Sequence, residues 1–186
     1  CIFSDGTVIT TTKIAEYNNG NTKVQIFSDG TKIREYKGTP VVDFPESIDV
    51  KITDYCDLGC KYCHESSTTK GVHADLVELL CALPVVSQTK QRKNSFPRGI
   101  ELAIGGGNPL SHPKIENFLL YLKDAGYIAN LTINQGHLQE YQELIQKLIK
   151  NELVRGLGIS ITSKNYDFVY PLLEMTDNIV YHVIAG

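Results

Sequence analysis

The sequence predicts an α/β protein, with an antiparallel β-hairpin meander over residues 1–40 and a partial (β/α) barrel of about five parallel strands over residues 46–186. Three observations carry that reading. Asp-Gly and Asn-Gly pairs punctuate β-rich runs near the start, strand and helix periodicities alternate after Pro45, and most connections between them are short.

In the meander, Ser4-Asp5-Gly6-Thr7, Asn18-Asn19-Gly20-Asn21 and Ser28-Asp29-Gly30-Thr31 read as type I′ hairpin turns, whose central residues favour Asn-Gly and Asp-Gly. Between them, residues 7–17, 23–27 and 31–36 are rich in Thr, Val, Ile and Tyr, which suit a pleated and half-buried surface. Phe-Ser-Asp-Gly-Thr occurs at 3–7 and again at 27–31, and two copies are too few for a solenoid. Gly38-Thr39-Pro40 and Pro45 mark the linker.

Strand-like runs follow at 48–53, 100–104, 128–133, 157–161 and 179–184. Helical spacing fills the gaps. Ile115, Phe118, Leu119 and Leu122 fall on one face, as do Leu138, Tyr141, Leu144, Ile145, Leu148 and Ile149. Pro113 suits a first helical turn and Gly126 a helix end. Cys81, beside Leu79, Leu80 and Leu83, reads as packed core. Two connections are longer than usual, 64–72 and 84–99. The second carries Lys90, Arg92, Lys93 and Arg98 and reads as a solvated loop, or else a contact for an anion. In such a sheet, functional groups gather at the C-terminal ends of the strands.

Composition narrows the function. Hydrophobic residues at 42% and charged residues at 21% exclude a disordered tail, a collagen-like chain and a coiled coil. Eighteen basic against 21 acidic residues do not suggest a nucleic-acid surface, although they leave room for a local basic patch, and no apolar run is long enough to span a bilayer. Of the five cysteines, three lie between 56 and 63, which suits a metal site in a reducing, cytoplasmic setting better than a disulfide framework. Cys1 in place of Met reads as a trimmed or incomplete start.

Cys56-Asp57-Leu58-Gly59-Cys60-Lys61-Tyr62-Cys63 stands directly after the first core strand. Three thiolates on one loop can wrap a cuboidal cluster and leave one iron open to a small molecule. Zinc is the rival, with His64 or His73 as a fourth ligand. The run Gly105-Gly106-Gly107 at the next strand end frees backbone groups for close approach to a ligand, or makes a tight turn. Asn134 and Ser160, at later strand ends, either face a site or cap the next helix. His64 and Glu65 are candidates to reach substrate. His112, His137 and His182 show no partner.

The C-x3-C-x2-C loop, with Tyr62 before its last cysteine, resembles the signature of radical S-adenosylmethionine enzymes. Gly105-Gly106-Gly107-Asn108-Pro109 is similar to that family's Gly-Gly-Glu-Pro, with Asn108 where the family carries Glu. Ser111-His112-Pro113, Leu131-Thr132-Ile133-Asn134, Leu157-Gly158-Ile159-Ser160-Ile161 and Val183-Ile184-Ala185-Gly186 resemble its later strand ends, in the same order. The resemblance implies a partial barrel of the radical SAM type. Cys56, Cys60 and Cys63 would hold a [4Fe–4S] cluster, and Tyr62, Gly105, Gly106, Gly107, Asn108, Asn134, Ser160 and Ile184 would bind S-adenosyl-L-methionine.

It also implies an activity. The reduced, oxygen-sensitive cluster would cleave S-adenosylmethionine to a 5′-deoxyadenosyl radical that takes hydrogen from a peptide or small-molecule substrate, in peptide modification or cofactor biosynthesis. The partner would be a one-electron donor such as flavodoxin or ferredoxin. The Cys-x-Tyr-Cys-His string also fits glycyl-radical-activating enzymes, and Asn108 leaves room for a non-catalytic metal-binding module. Family barrels carry a sixth strand, so the chain is expected to continue beyond Gly186, or a partner chain to cover the fifth strand's edge.

Overall fold

Three antiparallel strands, β1 (Lys13–Asn19), β2 (Thr22–Phe27) and β3 (Lys32–Tyr36), form the meander in the order β1-β2-β3. This computed structural model describes residues 11–27, 31–61, 63–84 and 99–161, and the chain divides into two compact units, Cys1–Pro45 and Glu46–Gly186. The turns expected at 4–7 and 28–31 fall wholly or mostly outside the described residues. Tyr17, Val24 and Ile26 make a small core, against which Ala15 and Phe44 pack.

The first hairpin corrects the expected turn. Asn19 pairs with Thr22, so the loop is Gly20-Asn21, and of these two only Gly20 has positive φ, at 61°. That is the pattern of a type II′ turn, not I′. The reason is that Asn19 is spent elsewhere. Its side chain is fully buried, accepts from the backbone N–H groups of Asp43 (2.7 Å) and Phe44 (3.1 Å), and donates to Phe44 O (2.9 Å). A Cβ at Gly20 would stand 2.0 Å from Val41 O, so glycine also lets segment 41–44 lie along the hairpin.

Among the described residues, the second unit holds four parallel strands in sequential order: β4 (Ser47–Thr53), β5 (Glu101–Gly106), β6 (Ile128–Asn134) and β7 (Gly156–Ser160). Helices α1 (Leu76–Ala82), α2 (Ile115–Ala125) and α3 (Gln142–Lys150) lie in the connections. This is the expected α/β architecture, consistent with a partial barrel. The expected fifth strand, 179–184, lies outside the described residues.

Strand periodicity explains why the sheet has two unlike faces. Val50, Ile52, Leu102, Ile104, Leu131 and Ile133 are buried on one face, as are Phe118, Leu119, Leu122, Ile145 and Leu148 of the helices. The alternate positions carry Ser47, Asp49 and Lys51, then Glu101, Ala103 and Gly105, then Ile128, Asn130, Thr132 and Asn134, then Gly156, Gly158 and Ser160. Register aligns Asp49, Ala103, Asn130 and Gly156 across the four strands. A parallel sheet covered on both faces would read as continuous Val, Ile and Leu instead.

Helix ends follow local chemistry. Gly126 closes α2 in the left-handed region at φ 91°, as its place in the sequence suggests. Helix α3 begins later than the periodicity indicates, because the Asn134 side chain accepts from Gly136 N–H (2.9 Å) and turns 135–137 into a 3-10 segment. Cys81 corrects the core reading. It is exposed, lying about 140° around the helix from Leu76, the buried residue of α1.

Replacing Asn19 by Ala orphans three backbone groups at once. The substitution should destabilise the meander by about 3 kcal/mol, at roughly 1 kcal/mol for each group left without a partner. Amide hydrogen exchange over residues 13–27 is the measurement, and unchanged protection there would refute the argument.

Candidate metal and cofactor site

The cysteine loop leaves β4 at Thr53, and three separate segments hold it. The first is the end of β5. Gly107 N–H donates to Thr53 O (2.8 Å) and Asn108 N–H to Tyr55 O (2.6 Å). A Cβ at Gly106 would lie 2.3 Å from Thr53 O, and one at Gly107 would lie 2.1 Å from Tyr55 O. Close approach by these two glycines is therefore made to the protein's own backbone, with Gly106 at a φ of 118° that favours glycine. Gly105 differs, because none of the described residues lies within 4 Å of its added Cβ.

The second support is the segment that follows the cysteines. Cys56 N–H donates to Thr68 O (3.1 Å), Thr68 N–H to Asp54 O (3.2 Å), and Asp54 N–H to Val72 O (2.9 Å). Residues 68–74 thus run back along the end of β4. His73 belongs to this strap, with Nδ1 2.8 Å from Thr53 Oγ1 and its ring packed edge-on to His112 at 4.8 Å. Burial, then the neighbouring His112, pushes the His73 pKa down. His112 is satisfied at both nitrogens. Its Nε2 donates to Ala74 O (3.0 Å), while Nδ1 accepts from Lys114 N–H (3.1 Å), which fixes the neutral tautomer.

The third support comes from the turn between β6 and α3. His137 is buried there, and its Nε2 donates to Asp57 Oδ1 at 2.8 Å across 80 residues of sequence. That hydrogen bond holds the Asp57 carboxyl below its ordinary pKa. Beside it, Leu58 lies over Gly136, where a Cβ would come within 2.8 Å of the Leu58 side chain. Sequence reasoning found no partner for His112 or His137, because their partners are a backbone carbonyl and a loop carboxylate remote in sequence.

The donor groups can now be compared. Cys56, Cys60 and Cys63 are free thiols, with Cys60 exposed and the other two half-buried. Burial pushes the Cys56 thiol up, and a hydrogen bond from the Leu58 backbone opposes it. Among the described residues, the donors close enough for one metal ion are Cys56, Asp57 and His137, whose ligand atoms lie within 4.8 Å of one another. His64 and His73 are not in that group. The three thiols are not all that close to one another, and three free thiols on one loop are donors of the type that an iron–sulfur cluster takes.

The remaining candidates fall into place around the loop. Lys51 bridges Asp54 (2.5 Å) and Glu65 (2.7 Å), which lifts its ammonium above the usual range and holds Glu65 low. Glu65 is thereby tied to β4, while His64 is exposed beside it at 3.2 Å. Asn108 is fully buried. Its Oδ1 caps the 3-10 turn Pro109–Ser111 by accepting from Leu110 N–H (3.2 Å), and its Nδ2 has no hydrogen bond of normal geometry. The amide faces the Tyr141 hydroxyl, whose pKa burial raises. Asn134 pairs with Ser160 across β6 and β7, its side chain capping as described above. Tyr62 and Ile184 lie outside the described residues.

A parallel α/β sheet that presents three free thiols on the loop after its first strand, with a glycine run at the end of its second, has the donor chemistry of a protein that binds a soft metal or an iron–sulfur cluster. A family model for the Radical SAM superfamily matches residues 50–180, and the chain belongs to that superfamily. It is accordingly an enzyme of a family that uses a [4Fe–4S] cluster and S-adenosylmethionine and needs an electron donor. No curated protein sequence matches the chain. No helix among the described residues is long and apolar enough to cross a membrane.

The two kinds of glycine make a direct test. Gly107→Ala forces a Cβ into the Tyr55 carbonyl, so it should lower stability by about 1–3 kcal/mol and disturb the cysteine loop. Gly105→Ala meets open space and should change stability by less than about 0.5 kcal/mol. Urea unfolding measures both, and equal effects at the two positions would contradict the packing described.

Proposed function

We propose that Cys56, Cys60 and Cys63 hold the [4Fe–4S] cluster and that S-adenosylmethionine binds across the strand ends beside it. The observation that carries this reading is the set of three free thiols on one loop at the C-terminal end of β4, with no fourth cysteine among residues 46–80. When bound, the reduced cluster and S-adenosylmethionine supply one-electron cleavage of the sulfonium and hydrogen abstraction from substrate. The chain's own part is to hold and orient them.

Gly105 leaves the end of β5 open to a ligand, and Gly106 and Gly107 support that opening by seating the root of the loop against β5. Ser160 lies at the end of β7 beside Asn134, where hydroxyl and amide groups meet a ribose or amino group. Asn108 acts from beneath, as the buried cap of the turn that follows the glycines. Tyr62 and Ile184 complete the set by resemblance to the family.

The substrate we infer is polar, a peptide or small molecule, in a reaction of peptide modification or cofactor biosynthesis. Asp49, Asn130 and Thr132 support this, since among the described residues the sheet face that they occupy carries only Ala103 and Ile128 as apolar side chains. Electrons come from a small donor such as flavodoxin or ferredoxin, in a reducing cytoplasm that keeps the thiols free.

Anaerobic reconstitution should give about four iron and four sulfide per chain, as that cluster type requires. With dithionite and S-adenosylmethionine, the loaded protein should form 5′-deoxyadenosine, and Cys60→Ala should lose both properties. One tightly held zinc with no iron uptake would overturn the ligand assignment. A full cluster with no 5′-deoxyadenosine would identify a binding module without turnover.

A further inference from the structure

We propose that Asp57 and His137 form a positioning pair that clamps the cysteine loop to the turn after β6 and sets the electrostatic field at Cys56, and hence the reduction potential of the cluster. This rests on the assignment of Cys56 as a cluster ligand. Three features of the pair point beyond packing. His137 is buried while its partner carboxylate is partly exposed, with side-chain exposures of 2% and 41%. The bond joins segments 80 residues apart, at the one loop that carries all three thiols. The ligand atoms of Cys56, Asp57 and His137 lie within 4.8 Å of one another, so charge on Asp57 acts directly on the sulfur.

The physical roles of the two residues are opposite in sign. Asp57 adds a negative charge near the cluster, and negative charge disfavours the added electron. His137 donates to that carboxylate and offsets its field, because a hydrogen bond to an ionised group spreads its charge toward the donor. The ring is itself held in place. Tyr141 packs against it edge-on at 6.2 Å, and burial leaves little freedom to rotate away. Its Nδ1 is buried and without a hydrogen-bond partner among the described residues, so the bond to Asp57 is the one hydrogen bond that the imidazole makes there. Asp57 in turn stiffens the loop between Cys56 and Cys60, since Leu58 is seated over Gly136 next to it.

Three variants separate these roles. Asp57→Asn keeps an acceptor for His137 Nε2 and removes the charge. His137→Leu keeps the charge and removes the donor. His137→Gln restores a donor. After anaerobic reconstitution, a redox titration followed by electron paramagnetic resonance should move in opposite directions for the first two. Asp57→Asn should favour reduction about tenfold, which is about 59 mV more positive for one electron, and His137→Leu should disfavour it by a similar factor. His137→Gln should lie closer to the parent than His137→Leu does.

A purely structural bond predicts no such sign reversal. Potentials unchanged in both variants, or moved in the same direction, would overturn the proposal. Should His137→Leu fail to fold, Asp57→Asn decides alone, a positive shift supporting the pair and no shift refuting it. The clamp is read separately, without any cluster. Amide exchange at residues 57–60 of the apo protein should quicken about tenfold in His137→Leu and stay near the parent rate in Asp57→Asn. Unchanged exchange in the folded His137→Leu protein would overturn the clamp. A parent protein that takes up no cluster would defeat the ligand assignment, while the exchange result would still decide the clamp.

Discussion

Two backbone hydrogen bonds at the end of β5 fix where everything else in the site can be. Gly107 and Asn108 donate to the carbonyls of Thr53 and Tyr55, at 2.8 and 2.6 Å, and so lock the root of the cysteine loop to the neighbouring strand. Such a seam works only if no side chain stands in it. A Cβ at Gly106 or Gly107 would fall 2.3 or 2.1 Å from a carbonyl oxygen of the opposing segment, well inside contact distance. The glycines are therefore required by the chain itself, before any ligand is considered. Their conformational cost in the unfolded state is offset by the bonds they allow.

From that seam the loop acquires its other restraints in sequence. The strap at 68–74 returns along β4 and satisfies the backbone of Asp54 and Cys56, while His73 closes on Thr53. On the opposite side, the turn after β6 contributes Gly136 under Leu58 and His137 to Asp57. Loop residues ordinarily carry unsatisfied backbone and high mobility. Here the residues around Cys56 are tied to β5, to the strap and to the turn after β6, so this end of the loop is shaped by its neighbours. This division of labour matches the chemistry, because groups that bind a metal must arrive oriented without being consumed by the interactions that orient them.

Much of this architecture was legible in the sequence, and the reasons are specific. Periodicity located β4 to β7 to within a residue or two, because alternation of Val, Ile and Leu with Ser, Asp, Asn and Gly reports which face meets the helices. Gly126 announced its helix end by requiring positive φ. What sequence could not give was long-range partnership. Asn19 looked like a turn residue until its buried amide was found bonded to Asp43 and Phe44, which moved the turn by one position. Cys81 sat among leucines in sequence yet points away from the buried side of a two-turn helix. Asn134 displaced the start of α3 by capping its own turn, and His137 gained meaning only from Asp57. The cysteine spacing was conspicuous on its own. The pair that holds the loop was not, since neither residue type nor local spacing marks it.

The unlike faces of the sheet carry a last consequence for how the protein divides its tasks. Parallel strands are ordinarily buried on both sides, and exposing one side of an apolar sheet would be costly. This sheet avoids that cost by placing Asp49, Asn130 and Thr132 where a second apolar layer would otherwise sit, and by using glycine at 105, 156 and 158. Asn130 even covers Gly156, where a Cβ would meet its side-chain oxygen at 2.6 Å. The polar face needs no covering layer to be stable in water, so it is free to vary without loss of the core on the other side. The strand ends are constrained differently. There Gly106, Gly107, Asn108 and Asn134 are committed to a backbone seam or to a cap, and a side chain at either glycine disturbs the loop. Side chains can accordingly change along the face while the strand ends that seat the loop stay fixed, which is a physical basis for one scaffold serving many reactions.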